Sequence, residues 1–114
     1  LTFVHTSLHP LWTNFSGFQW DDGNWPKCGS HGFTKPEIEA VFQGDVRIAP
    51  DFKHSADERR YIAVARHANG RPLFVGFTLR QVDDRLLVRP FTARYMHGKE
   101  ALGYETESSS HDNR

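Results

Sequence analysis

Three apolar and β-branched runs joined by two short turn signals fill residues 60–93, and nothing else in the chain limits its folding as strongly. His67-Ala68-Asn69-Gly70 carries the Asn-Gly pair that suits a tight hairpin, and Asp83-Asp84 supplies a second turn. Strands are therefore expected over 60–66, 73–79 and 87–93. In the middle strand, alternation puts Leu73, Val75, Phe77 and Leu79 on one face. Phe74, Gly76, Thr78 and Arg80 share the other, so Arg80 points away from the main core. In the third strand the same period of two predicts Val88, Thr92 and Arg94 together on one face.

Upstream, Thr34-Lys35-Pro36-Glu37 is a helix start. Thr34 can accept from a free amide while Glu37, three residues on, bonds back to it. Proline is tolerated in the first turn because its amide would have no partner there. Ile38, Val41 and Phe42 follow at helical spacing, and Gly44-Asp45 ends the run. A short strand is expected at 18–21, a turn at Asp22-Gly23-Asn24, and a helical turn over 25–30 stopped by Gly32. A strand at 46–48 and a polar loop over 50–57 precede the meander, and a helix weakened by Gly98 and Gly103 is expected over 95–105. The predicted class is α+β: a small antiparallel sheet with N-terminal helices and a C-terminal helix, packed mainly on one face. Residues 1–17 read as an irregular extension, 18–105 as the folded domain and 106–114 as a disordered polar tail.

At 114 residues and 38% hydrophobic content, one domain with a single modest core is expected. Cys28 is the sole cysteine, which rules out an intrachain disulfide and favours a reducing compartment. No apolar run approaches the roughly 18 residues that span a bilayer. Residues 1–17 lack the basic-then-apolar pattern of a signal peptide, so a cytoplasmic location is expected and no membrane partner. The net charge is zero, but residues 52–99 carry ten basic and four acidic groups between acidic flanks. That asymmetry suits contact with nucleic acid.

Arg80, Arg89 and Arg94 sit at strand ends within this basic stretch, with Lys99 and Tyr104 on the following helix. A guanidinium is charged at any working pH and its planar fork matches a pair of phosphate oxygens. The cluster suits an anionic polymer; the competing reading is a solvated sheet edge charged against aggregation. Of seven histidines, His31, His54, His67 and His97 lie in separate segments, and no pair of these four shows His-x-x-x-His spacing, nor can a single cysteine give Cys-x-x-Cys. Cys28 and His31 lie three apart on a glycine-containing turn without a second pair, so neither a metal nor a cofactor is expected. Trp20 reads as core and Trp25 as exposed, for RNA or a protein partner.

Six segments together resemble the BrnT-type toxins of type II toxin–antitoxin systems. They are Phe18-x-Trp20-Asp21-x-Gly23-Asn24-x-x-Lys27; His31-Gly32-Phe33-Thr34-x-x-Glu37-Ile38-Glu39-x-x-Phe42; His54-Ser55-x-x-Glu58-x-Arg60-Tyr61; Asn69-Gly70-Arg71-Pro72-Leu73 with Phe77-Thr78-Leu79-Arg80; Arg89-x-x-Thr92-Ala93-Arg94-x-Met96; and Lys99-Glu100 through Tyr104. The resemblance runs from about 18 to 105 and departs at Ser30, where the family usually has lysine, and at Thr92, where serine is common. It implies a RelE-like fold and a metal-independent endoribonuclease that arrests growth. It also implies a BrnA-type ribbon-helix-helix antitoxin, through which alone operator DNA would be touched.

For such an enzyme the RNA 2′-hydroxyl is the nucleophile. The protein has to take one proton, stabilise a phosphorane and return a proton to the leaving oxygen. Arg80, Arg89 and Arg94 suit the phosphorane, His54 titrates near neutrality, and Glu58 is the alternative base. Lys27, Arg60, Lys99 and Tyr104 are the expected RNA contacts, with Lys27 or Tyr104 able to donate a proton. The competing structural readings are a loop cap for His54-Ser55 and a cross-strand ion pair for Glu58 with Arg60. A second functional class is a catalytically weak protein that binds its antitoxin and tunes operon repression, favoured by the neutral net charge and Ser30.

Overall fold

A computed structural model describes residues 4–5, 15–54 and 57–112, with the side chains of 15–53 and 57–105. The expected meander is its centre. Strands β4 (Tyr61–Arg66), β5 (Pro72–Val82) and β6 (Arg85–Tyr95) pair antiparallel in succession. The β5–β6 ladder runs to Val82↔Arg85, and Asp83 has the positive φ of 55° that a two-residue hairpin turn demands. Both strands therefore outrun the expected bounds, and Tyr95 belongs to β6 rather than to the helix after it.

On the other side, β3 (Arg47–Pro50) joins β4 antiparallel, and β1 (Val4–His5) joins β3. At the far edge β2 (Gly17–Phe18) pairs with Leu87 and Val88 in parallel. Among the described residues the sheet thus has six strands in the order β1-β3-β4-β5-β6-β2 and is mixed, not antiparallel throughout. No hairpin links β2 to β6, so nothing local sets their relative direction. The irregular extension expected over 1–17 also needs correcting, since Val4–His5 is a strand; the rest of it up to 14 lies outside the described residues.

Leu73, Val75 and Phe77 are fully buried on one sheet face with Ala63, Val88 and Ala93. Helix α1 (Lys35–Ala40) lies on that face, contributing Ile38, with Val41 and Phe42 just beyond it. The capping box starts it: the Glu37 amide donates to Thr34 Oγ1 at 3.3 Å, and the Thr34 amide donates to Glu37 Oε1 at 2.9 Å. The opposite face carries a smaller cluster of Ile62, Val64, Phe74 and Met96 beneath Tyr104 of helix α2 (Gly98–Asp112). The helices therefore cover both faces, not mainly one. A sheet with apolar side chains on both faces needs cover on each. Helix α2 also continues to Asp112, where a disordered tail from 106 was expected; that stretch contains no proline, and serine only weakly opposes a helix already nucleated.

The β5–β6 register slips once. Gly76 faces Thr92 and Phe77 faces Pro90, which leaves Phe91 as an extra residue. Proline tolerates this interruption because it has no amide to give to a ladder. Beyond the bulge the alternation reverses, so Val88 and Ala93, five apart, both reach the main core. The expected grouping of Val88 with Thr92 and Arg94 is therefore wrong: Val88 faces the main core and the other two face away from it.

Candidate functional site

The face opposite the main core holds a groove of about 620 Å³ between the β3–β4 connection and the first turn of α2. Ile62, Phe74 and Gly76 form its floor, with Phe91 beside them. Phe52 and Lys53 come from a 3-10 turn, Phe52–His54, on one side; Arg94 and Glu100 come from the other. Each aromatic of the floor carries a guanidinium. Arg94 lies 4.2 Å from the Phe74 centroid, and Arg60 lies 4.9 Å from that of Phe91. A Cβ on Gly76 would stand 2.8 Å from Phe91 Cζ and 2.9 Å from Thr92 Cγ2, so glycine is what lets the bulged ring approach β5 this closely.

The bulge also sorts the arginines. Uninterrupted alternation would put Arg89 and Arg94 on opposite faces. The slipped register puts both Arg89 and Arg94 on the groove's face, where alternation along β5 already places Arg80; Arg94 lines the groove itself. Each holds a carboxylate. Arg94 donates to both oxygens of Glu100 at 2.9 and 3.2 Å. Arg89 donates to both oxygens of Asp21 at 2.8 and 3.0 Å and to Gln19 Oε1 at 3.1 Å. Gly23 makes room for that fork, since a Cβ there would lie 2.7 Å from an Arg89 nitrogen. Arg80 approaches Glu58 Oε2 with Nε at 2.8 Å, so the partner of Glu58 is Arg80 rather than Arg60. The fork of Arg89 and the Gly23 amide hold the Asp21 carboxyl below its ordinary range, and the fork of Arg94 does the same for Glu100.

His54 ends the 3-10 turn that forms the groove's lip; its side chain lies outside the described ones. Lys27 and Lys99 are exposed and stand outside the groove lining. Tyr104, expected as an RNA contact, is buried at 5% exposure, with the guanidiniums of Arg47 and Arg66 5.6 and 5.5 Å from its ring centroid. Trp25 is not the exposed ring expected. It meets Trp20 edge-on at 5.3 Å, and the Lys35 ammonium sits 5.3 Å from its centroid. Cys28 is buried, and desolvation pushes its thiol up to about 11, which keeps it protonated and unreactive.

Several residues of this region escaped the sequence reading. Phe52, a phenyl ring inside a polar loop, was the one with a visible signal. The roles of Asp21 and Glu100 have no local signal, because their arginine partners are set by register and helix docking. Asn24, read only as a turn residue, is 2% exposed. Its amide donates to Gln19 O at 2.9 Å and Pro90 O at 2.8 Å, which fastens the 19–25 loop to β6.

Compared with known families, the chain matches over residues 20–100 the one described as the ribonuclease toxin, BrnT, of type II toxin-antitoxin systems. A comparison with curated proteins found no match. No helix among the described residues is long and apolar enough to cross a membrane.

Proposed function

The chain belongs to the BrnT family of ribonuclease toxins of type II toxin–antitoxin systems, and on that premise we propose that the groove is the RNA site of a metal-independent endoribonuclease on a RelE-like fold. One observation carries this reading: the β6 bulge brings Arg89 and Arg94 together with Arg80 of β5 on the sheet face that also holds the aromatic groove. In the reaction, the 2′-oxygen bonds to the adjacent phosphorus, the bond to the 5′-oxygen breaks, and a 2′,3′-cyclic phosphate is left. His54 takes the 2′-hydroxyl proton and a proton returns to the 5′-oxygen. Arg94 and Arg60 line the groove where the phosphorane's charge spreads, and removal of one such donor lowers the rate by about two to three orders of magnitude. Glu58 orients Arg80 through its ion pair. Lys27 and Lys99 extend the positive surface for longer RNA.

The antitoxin, in this reading, is a BrnA-type ribbon-helix-helix protein that covers the same basic face and alone contacts operator DNA. Purified chain should cleave RNA in the presence of a chelator and leave cyclic phosphate ends. Activity that vanishes in chelator and returns with a divalent metal would sink the mechanism.

A second reading has its own observation. All three strand arginines already hold carboxylates, as structural ion pairs do. On that reading the chain is catalytically weak and acts through its antitoxin on operon repression. Expression without the antitoxin separates the two, because only the ribonuclease arrests growth.

A further inference from the structure

We infer that Phe52 is a stacking platform for an unpaired base, which makes single-stranded RNA the substrate class of the groove; this rests on the ribonuclease reading. Phe52 is 79% exposed at the groove's lip, so its ring adds almost nothing to the core. The two floor aromatics already have guanidiniums over them, whereas among the described residues none lies over Phe52. Its face is thus open. Lys53 follows it directly and lines the same groove.

The lining matches a nucleotide in charge and size. Lys53, Arg60 and Arg94 stand against Asp51 and Glu100, a cationic excess of one around apolar rings. A groove of about 620 Å³ falls within the range that holds a nucleotide-sized ligand. Bases in a duplex are stacked on each other and cannot offer a face to a side chain, whereas an unpaired base can. Stacking tolerates any base, so the platform selects strandedness before sequence.

The test uses the full chain and a 2′-O-methyl RNA, which cannot be cut because its nucleophile is blocked. One base is replaced by a fluorescent adenine analogue whose emission falls when it stacks. The parent should bind the single strand with quenching and bind the matching duplex more weakly. Phe52→Ala should weaken single-strand binding roughly 5- to 150-fold and remove the quenching, with duplex binding and melting temperature unchanged. Phe52→Trp should keep both properties, and Phe52→Leu should keep neither fully. Unchanged affinity and quenching in Phe52→Ala overturn the proposal. So does a Phe52→Ala variant that loses only its antitoxin, since the ring would then be a protein contact. Binding with quenching but no cleavage of ordinary RNA would leave this inference standing and remove the ribonuclease reading; cleavage without any Phe52 effect would do the reverse.

Discussion

Arg94 and Arg89 look alike in sequence but differ in setting. The Arg94 side chain is 26% exposed and borders the groove, paired with a Glu100 side chain that is 41% exposed. Exposed pairs of this kind contribute at most about 1 kcal/mol. Arg94→Ala should therefore lower RNA cleavage by about two to three orders of magnitude and relieve growth arrest while barely moving the melting temperature. Glu100→Gln should free the fork and tighten RNA binding, measurable by titration with uncleavable RNA. If both variants fail to fold, Arg94 is structural and its catalytic assignment is wrong. Glu100 has a depressed folded value because Arg94 favours its charged form. Its contribution to stability is present above its ordinary value of 4.5 and is lost as pH falls through the lower folded one, which acid titration of unfolding would follow. Asn24 belongs to a different class. Truncation to alanine takes this donor from the buried Pro90 carbonyl and the part-buried Gln19 carbonyl, and should cost about 1–3 kcal/mol in denaturant melts.

Among the elements, β6 carries most of the functional consequence. Its one extra residue reverses the alternation, which brings Arg89 round to the face of Arg94 and lays Phe91 on Gly76. Gly76→Ala should force that ring aside, lowering stability by about 1–3 kcal/mol and distorting the groove floor. Phe91→Leu in the same chain should recover part of the loss, a coupling that a double-mutant cycle would read. An additive result would show that the ring and the glycine do not share the site. Helix α1 owes its start to a local device, and Thr34→Ala should cost about 1 kcal/mol without affecting RNA binding, because the cap lies on the side of the main core.

For the whole molecule, the order of strands places the basic stretch 52–99 in β4, β5 and β6, the middle of the sheet and its arginine-bearing face. Acidic groups from both flanks are drawn onto it, as Asp21 and Glu100 show. RNA held by released counterions should bind with a steep salt dependence. An antitoxin that also buries apolar surface should weaken less over the same range. The two should compete, and simultaneous binding with neither affinity reduced would place them on separate faces.

The hairpins at Asn69-Gly70 and Asp83-Asp84, the capping box at Thr34 and the inward row of Leu73, Val75 and Phe77 were all legible in the chain itself. Each depends on residues within a few positions of one another, through turn dihedrals, a reciprocal cap or strict alternation. The parallel seat of β2, the side of the sheet that α2 covers, the bulge at Phe91 and the carboxylate held by each arginine were not legible. They are choices between distant partners. Asp21 and Arg89 are 68 residues apart, and Glu58 and Arg80 are 22 apart. The sequence supplied the charges and rings of the groove. Tertiary packing decided which of them share a face, because one unpaired residue in a strand reverses the direction of every side chain beyond it.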